Sequence, residues 1–289
     1  MKKRHKFLLI ILLIIIIVAM SFLLFWLWPR GLTDTHYEVK ADVTKPIRIV
    51  QLTDLHGRQF GENNCELISL VEEQSPDLIF MTGDMLSEDE NSLSGLCALI
   101  SELSEIAPVY YSYGNHEIEL MSSEDFDLKT PLEEAGARVL ELEYEDVTVS
   151  GQELRIGGYS GYYRTPQMET TDEQLRVEKL AFADDFENTD RQKLLLAHIA
   201  TSWTDWELID NHPVGVVFSG HYHGGQIRLP LVNRGVYAPN VGWLPKYTKG
   251  VFEGECAICV LSAGLGSNVN VPRIYNPPEV VLVDLVPRG

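Results

Sequence analysis

Cysteine is scarce in this chain, which limits the cross-links and metal sites that it can form. The 289 residues contain only four cysteines, Cys65, Cys97, Cys256 and Cys259. Cys256 and Cys259 are close in sequence, but there is no second pair to complete a structural zinc site. Residues three apart on a strand point to opposite faces, which makes a disulfide between them awkward. We therefore predict that both are buried small apolar residues.

Basic residues are also scarce beyond the N-terminus. Residues 1–29 hold four of the 23 basic residues and none of the 42 acidic ones, so the remaining 260 residues carry a net charge of −23. Such a domain repels polyanions and lacks the basic surface that nucleic-acid binding requires. We expect no nucleic-acid partner. Internal repeats are absent from the sequence, and the length fits one large domain.

The N-terminus carries a long uncharged segment. Residues 1–6 form a basic flank, and residues 7–29 contain no charge and many Ile and Leu residues. About 20 apolar residues span a membrane, and Trp26 and Trp28 fit an aromatic belt at its surface. No Ala-x-Ala cleavage pattern follows. We predict a single-pass signal anchor in the cell membrane with the domain outside the cytoplasm; the alternative is a buried core helix.

The remaining boundaries follow from composition. Residues 30–45 are predicted to be a linker with one edge strand over 36–40, and residues 46–284 to form the folded domain. Residues 285–289 resemble the remnant of a thrombin cleavage site left by protein expression, so they are left out of the predicted fold.

Three predicted strands, over residues 47–52, 78–81 and 109–113, alternate with two predicted helices, over 62–74 and 93–106. This order predicts an α/β fold in which adjacent parallel strands are joined by helical crossovers. Open α/β sheets bind ligands at the carboxyl ends of their strands. We therefore expect the polar residues that follow the strands to share one edge of a sheet.

The histidines are concentrated at such positions. Five of the eight lie at or just after a predicted strand end: His56, His116, His198, His221 and His223. Asp54, Asp84 and Asn115 share those positions. An isolated His-x-His pair is often a solvated loop, but eight such residues are enough for two metal ions with a bridging carboxylate. Nitrogen and oxygen ligands without thiolate suit Mn, Fe, Zn or Co.

Five sequence blocks resemble the calcineurin-like metallophosphoesterase family, in the family's order. They are Asp54-Leu55-His56, Gly83-Asp84, Gly114-Asn115-His116-Glu117, His198 and Gly220-His221-Tyr222-His223. The apolar N-terminus and the segment 224–230, Gly-Gly-Gln-Ile-Arg-Leu-Pro, resemble a membrane-associated bacterial branch. That branch includes enzymes similar to UDP-diacylglucosamine pyrophosphatases and general phosphodiesterases. The resemblance implies a four-layer α-β-β-α sandwich over residues 46–284, preceded by one transmembrane helix.

The resemblance also implies ligands for two divalent metal ions. Manganese is the expected ion, with iron, zinc or cobalt as alternatives. The first ion would bind Asp54, His56, Asp84 and His223. The second would bind Asp84, Asn115, His198 and His221, so that Asp84 bridges. The resemblance implies that His116 and Asn115 are catalytic residues. His116 would donate a proton to the leaving oxygen or stabilise its charge. Alternatively, His116 orients a neighbouring residue. Glu117 would orient His116 or open a helix.

The implied function is a membrane-anchored phosphoesterase that hydrolyses a phosphodiester or pyrophosphate bond by attack of a metal-bridging hydroxide. The alternatives are a phosphomonoesterase and a non-catalytic binding module on the same fold. Lipid-linked and nucleotide-containing phosphoesters are the expected substrate classes. Candidate substrate contacts are Arg58, Tyr222 and Gln226. The aromatic and apolar residues of 236–252 either pack on the sheet or form an apolar lip that receives an amphipathic leaving group.

Overall fold

The computed structural model of the chain describes residues 2–27, 31–86, 92–124, 126–164, 172–230, 232, 234–267 and 271–288. Trp28 and Pro29, at the end of the predicted anchor, lie outside these residues, as does the side chain of Trp26. The seven helices described in these residues are α1 (Lys2–Leu27), α2 (Cys65–Gln74), α3 (Ser92–Ser104), α4 (Asn115–Glu124), α5 (Lys129–Glu134), α6 (Glu173–Glu187) and α7 (Thr201–Thr204). Three short 3₁₀ turns cover Glu62–Asn64, Leu208–Asp210 and His223–Gly225.

Helix α1 contains the predicted membrane anchor. Its segment His5–Leu23 is long and apolar enough to cross a bilayer, and no part of that segment is buried against the domain. This exposure does not fit a buried core helix. Length and composition fit a membrane span and also fit a signal sequence.

The first of two six-stranded sheets collects the early strands and the last one. Its order is β1-β16-β2-β3-β4-β5, with β2 to β5 parallel and β16 antiparallel to β2. The strands are β1 (Thr33–Ala41), β2 (Ile47–Leu52), β3 (Leu78–Met81), β4 (Val109–Tyr111), β5 (Ala137–Val139) and β16 (Glu279–Pro287). The mixed α/β sheet and the three predicted parallel strands are confirmed.

The second sheet has the order β14-β15-β9-β8-β7-β6, with antiparallel strands at both edges. Its strands are β6 (Glu143–Val149), β7 (Gln152–Gly158), β8 (Gln192–Ile199), β9 (Gly215–Gly220), β14 (Gly250–Glu253) and β15 (Ala257–Leu261). Four two-residue strands form small hairpins after β9: β10 (Arg228–Leu229), β11 (Arg234–Gly235), β12 (Tyr237–Ala238) and β13 (Gly242–Trp243).

Alternate residues of the central strands divide the core into three apolar clusters. Phe80 of β3 and Phe218 of β9 meet between the sheets, with ring centroids 4.9 Å apart. Met81 belongs to a cluster with residues of α2, α3 and α5, and Val217 to one with residues of α6 and α7. Because successive strand residues face opposite sides, the layers follow the order helix, sheet, sheet, helix.

The outermost strands extend beyond the predicted domain bounds. Strand β1 pairs with β16 from Thr33, opposite Glu279, to Ala41, opposite Pro287. Most of the predicted linker 30–45 is therefore part of the sheet, and so are residues 285–287. β1 is an edge strand with alternating exposed residues, so its sequence is too polar for its full length to be recognised.

One of the two predicted buried cysteines, Cys256, differs from the prediction, and the other, Cys259, agrees with it. Cys259 is buried in β15, but Cys256 precedes that strand and is exposed. All four cysteines are free thiols. Only the residue inside the strand takes part in the core, because the chain has not yet entered the sheet at Cys256.

Candidate metal centre

The predicted ligands lie where strands of both sheets end. Asp54 and His56 follow β2, Asp84 follows β3, and Asn115 begins α4 after β4. From the second sheet, His198 lies near the end of β8, and His221 and His223 follow β9. Five of these residues have positive φ angles between 46° and 72°: Asp54, His56, Asp84, His221 and His223. Non-glycine residues seldom adopt this conformation, and such strain is concentrated at functional sites.

Two buried carboxylates form the middle of the cluster. Asp54 Oδ1 lies 3.7 Å from His223 Nε2 and 3.9 Å from His198 Nε2. Asp84 Oδ2 lies 3.0 Å from His198 Nε2 and 3.9 Å from His56 Nε2. Three groups have ligand atoms within 4.8 Å of one another: Asp54, His56 and His223; His56, Asp84 and His116; and Asp84, His198 and His221.

Buried polar atoms without hydrogen-bond partners show that these residues fit metal ions. Both ring nitrogens of His56, Nδ1 of His223 and Oδ1 of Asn115 are buried and have no hydrogen-bond partner within the described part of the chain. A buried polar atom without a partner costs about 1–3 kcal/mol. Several such atoms beside two carboxylates make a donor set of nitrogen and oxygen that suits divalent ions.

The comparison with known proteins agrees with this geometry. The sequence profile of the family described as Calcineurin-like phosphoesterase matches residues 47–225. The chain belongs to this family. It is a metal-dependent phosphoric ester hydrolase, and its family uses a dinuclear metal site.

Relatives of the chain include three bacterial proteins of similar length. "Phosphodiesterase YaeI" of Escherichia coli K12 is 27% identical, over 85% of this chain and 84% of its own. "Uncharacterized metallophosphoesterase YkoQ" of Bacillus subtilis is 29% identical, over 82% of each chain. "UDP-2,3-diacylglucosamine pyrophosphatase LpxG" of Chlamydia muridarum is 25% identical, over 90% of this chain and 93% of its own.

Burial sets the charge state of most imidazoles in this metallophosphoesterase. It lowers the pKa of His56 to about 4, and the pKa values of His221 and His223 to about 3. These three rings are therefore neutral near pH 7, which is the form that binds metal. At His198 burial also opposes protonation, but the charges of Asp84 and Asp54 outweigh it and raise the pKa.

A hydrogen bond to the backbone orients His198. Its Nδ1 lies 2.8 Å from the carbonyl oxygen of Thr82. Because a carbonyl only accepts, Nδ1 carries a hydrogen, and Nε2, which faces Asp84, is the nitrogen that gains or loses a proton. Such partners fix the tautomer and direction of metal-binding histidines. Thr82 directly follows β3 of the first sheet, and His198 lies in β8 of the second sheet. One sheet therefore orients a predicted ligand that the other sheet supplies.

Glu117 has a supporting role that the sequence did not reveal. Its buried carboxylate accepts hydrogen bonds from the backbone N–H groups of Asp84 (2.8 Å), Met85 (2.7 Å), Leu86 (3.2 Å) and Gly114 (2.9 Å). It also accepts one from the Tyr111 hydroxyl, at 2.9 Å. One side chain thus ties together the loops after β3 and β4, and both loops carry predicted ligands.

His116 lies at the outer side of the cluster. Its Nε2 is 4.0 Å from Asp84 Oδ2, and its ring meets His56 edge-on at 5.1 Å. Its backbone N–H donates to Asp84 Oδ1 at 2.9 Å. The His116 side chain is 16% exposed, against 2% for His56. This position suits a group that meets a substrate rather than one enclosed by the metal cluster.

Of the three predicted substrate contacts, two are buried. Tyr222 is fully buried, and its hydroxyl bonds to Thr201 and Asp205 at 2.8 and 2.7 Å, so it offers no surface to a substrate. The turn between the two predicted ligands directs the Tyr222 hydroxyl toward α7. Gln226 is also buried and donates to Ser267. Arg58 is exposed and lies over the Phe60 ring, so its substrate contact stays a prediction.

Asn240 is a site residue that the sequence did not single out. Its Nδ2 lies 2.9 Å from His221 Nε2, although the two residues are 19 positions apart. Asn240 belongs to the turn between β12 and β13, which the small hairpin brings to the metal centre. No spacing rule connects this turn to a histidine after β9, so only the folded chain reveals the contact.

Proposed function

We propose that the protein is a membrane-anchored two-metal phosphoesterase that hydrolyses a phosphodiester or pyrophosphate bond. The observation that carries this proposal is the pair of buried carboxylates, Asp54 and Asp84, each within 4.0 Å of imidazole nitrogens from both sheets. The pKa values of His56, His221 and His223 are lowered, so these rings are neutral near pH 7, and the two carboxylates leave negative charge that divalent cations neutralise.

The proposed ligands divide into two overlapping sets. Asp54, His56, Asp84 and His223 would hold the first ion. Asp84, Asn115, His198 and His221 would hold the second, with Asp84 shared. When bound, the two ions would stabilise negative charge on the phosphoryl oxygens and acidify a water molecule. Manganese is the ion we would test first, because ligands of oxygen and nitrogen without thiolate suit it.

His116 is the proposed proton donor. It would hold a proton on its imidazole and transfer it to the oxygen of the leaving group. Its backbone hydrogen bond to Asp84 keeps it beside the shared ligand, and its partial exposure leaves room for a substrate. Asn115, the preceding residue, would bind metal through its buried Oδ1.

Diester or pyrophosphate cleavage is favoured over monoester cleavage by the names of two relatives, a phosphodiesterase and a UDP-2,3-diacylglucosamine pyrophosphatase. A phosphomonoesterase on the same site is the second candidate. The complete set of predicted ligands argues against a non-catalytic binding module. Helix α1, with the basic residues at its N-terminal end, supports a single-pass anchor with the catalytic domain outside the cytoplasm.

Hydrolysis assays on the full chain in detergent test this function. The protein would be stripped with a chelator, reloaded with Mn²⁺, and given bis-p-nitrophenyl phosphate or p-nitrophenyl phosphate. We expect diester cleavage that disappears on chelation and returns with Mn²⁺. Preference for the monoester would support the second candidate. No hydrolysis of either ester by protein that holds two ions would contradict the proposal for these ester classes.

A further inference from the structure

The chain enters the folded domain beside the metal centre. Strand β1 begins at Thr33, opposite Glu279, and the Thr33 N–H donates to the carbonyl of Pro278 at 3.0 Å. The N–H of Glu279 in turn donates to Gly264 O at 3.2 Å. A Cβ atom on Gly264 would come within 2.6 Å of the Asp54 Cβ. Three short contacts therefore connect the start of β1 with a predicted ligand.

The connection from α1 to this point is short. Helix α1 ends at Leu27 and β1 begins at Thr33. Six fully extended backbone steps span at most about 22 Å. If α1 lies in a bilayer, the start of β1 stays within that distance of the end of the helix. The edge of the domain that carries the metal centre is thus held near the membrane surface, and the opposite edge is not.

Exposed apolar residues are concentrated in the segments around that edge. Of the ten large apolar residues exposed beyond α1 among those described, seven lie between Leu229 and Tyr275. Tyr237 of β12 pairs with Trp243 of β13, and their ring centroids are 5.5 Å apart. Trp243 is 77% exposed, and Leu244 follows it at 53%. Asn240, in the turn of the same hairpin, contacts the metal-centre residue His221.

The charge of this region differs from that of the rest of the domain. From Asn211 to Phe252 the sequence has four basic residues and no acidic one, although the whole chain carries a net charge of −19. Arg228 is buried and Lys249 pairs with Glu279, so the exposed positive charge comes from Arg234 and Lys246. Arg234 is exposed and donates to the carbonyl of Leu244 at 2.8 Å. This hydrogen bond places its guanidinium beside the exposed residues Trp243 and Leu244. Basic residues next to exposed Trp and Leu are typical of surfaces that bind anionic bilayers.

We propose that Tyr237, Trp243, Leu244 and Arg234, the hairpin surface, dock on an anionic phospholipid bilayer. The metal centre then opens toward the membrane, and its substrates are phosphoesters of lipid-embedded amphiphiles. The proposal rests on the membrane anchoring in the proposed function. It gives the exposed Trp243 and Leu244 an apolar environment, since Trp side chains favour the interface between acyl chains and headgroups.

Fluorescence quenching by brominated lipid tests the docking in the full chain. The protein would be placed in nanodiscs of phosphatidylcholine and phosphatidylglycerol, with or without brominated acyl chains. Trp26→Phe and Trp28→Phe remove the tryptophans of the anchor. We expect brominated lipid to quench the remaining emission, and Trp243→Phe in this background to remove more than half of that quenching. Equal quenching with and without Trp243 would overturn the proposal.

A matched control moves the tryptophan to the opposite edge. Thr148 is exposed near the end of β6, next to the turn that leads into β7, and that turn lies at the edge away from the metal centre. Thr148→Trp in the background without Trp26, Trp28 and Trp243 should show little quenching. Quenching at Thr148→Trp as strong as at Trp243 would show that no edge is preferred and would also overturn the docking.

Two further readouts separate the alternatives. Shielding of Trp243 from aqueous iodide without quenching by brominated lipid would indicate a protein partner, such as a second copy, and would overturn the proposal. Hydrolysis of bis-p-nitrophenyl phosphate would be measured in the same nanodiscs. Hydrolysis without Trp243 quenching overturns the docking alone, whereas quenching without hydrolysis supports the docking and contradicts the proposed catalytic function.

Discussion

The two sheets contribute different halves of the metal centre. Loops of the first sheet supply the predicted oxygen ligands, Asp54, Asp84 and Asn115, together with His56. The second sheet supplies only imidazoles, from His198, His221 and His223. The negative charge thus lies on one side and most of the neutral nitrogen ligands on the other. Neither sheet holds a complete ligand set, so the centre exists only when the sheets pack together.

The halves are also supported differently. The first half is tied internally by the Glu117 carboxylate, whose donors all belong to the first sheet and its loops. Two histidines of the second half make hydrogen bonds across the interface. His198 bonds to Thr82 O, and the His221 N–H donates to Asp54 Oδ1 at 3.1 Å. The first half is therefore a scaffold that also holds His198 and the backbone of His221.

The largest effect should come from removing the shared carboxylate. Asp84→Asn removes negative charge from the only carboxylate that belongs to two of the three ligand groups. We expect loss of both ions and a fall in the rate of diester hydrolysis of at least about 10³-fold. This is more than the 10–100-fold loss typical of replacing a residue that only hydrogen-bonds to a metal ligand. Metal content by mass spectrometry and initial rates would measure this. The exposed Asp190, which lies before β8, provides the control, Asp190→Asn, and two retained ions in Asp84→Asn would contradict the bridging role.

Replacing the proposed proton donor should separate chemistry from metal binding. His116→Gln should keep two ions and lower kcat by about 10²–10⁴-fold, the usual contribution of general acid catalysis. The exposed His36 on β1 provides the control, His36→Gln, which should behave like the parent. If His116→Gln instead loses an ion, His116 is a ligand or supports one.

Removing Glu117 should weaken the scaffold. Glu117→Ala leaves four buried backbone N–H groups and a tyrosine hydroxyl without their acceptor. We expect the free energy of unfolding of the metal-free protein to fall by roughly 3 kcal/mol or more, since each unpaired buried donor costs about 1–3 kcal/mol. Urea titration would measure it. The exposed Glu119 on the same helix is the matched control, and an equal effect of Glu119→Ala would refute the assignment.

Protonation should reveal the electrostatic coupling between the halves. The carboxylates of Asp84 and Asp54 raise the pKa of His198, so this ring keeps a proton near pH 7 in the metal-free protein. Burial lowers the pKa values of His56, His221 and His223 to about 4, 3 and 3, so these rings have no proton to lose. Metal binding should release about one proton and tighten as the pH rises. Calorimetry in two buffers of different ionisation enthalpy would measure the number of protons released. Release of no proton would contradict the coupling between His198 and the two carboxylates.

The smallest effect should come from Tyr222. The Tyr222 side chain is buried, and its hydroxyl forms hydrogen bonds with Thr201 and Asp205. Tyr222→Phe should leave hydrolysis unchanged and lower the free energy of unfolding by about 1 kcal/mol, the net value of a typical hydrogen bond. Thermal unfolding and initial rates would test both. A large loss of activity with normal stability would restore Tyr222 as a substrate contact.

Much of the candidate site could be predicted because its residues occupy strand ends. A parallel α/β arrangement sends all carboxyl ends to one edge, so Asp54, Asp84 and Asn115 had to be neighbours once β2, β3 and β4 were recognised. The same reasoning applies to His198 and His221 after β8 and β9. Local periodicity and glycines are properties of short segments, so the strand ends and the polar residues that follow them could be predicted from the sequence alone.

The contacts that support those residues, and the residues that surround them, are seen only in the tertiary structure. The bonds from Glu117 to the Asp84 loop, from Asn240 to His221 and from Thr33 to Pro278 join residues far apart in the chain. The burial of Tyr222 likewise depends on α7, which packs on the face of the second sheet that points away from the first sheet. Such contacts depend on how layers pack, and packing is a property of the whole chain that no local pattern encodes.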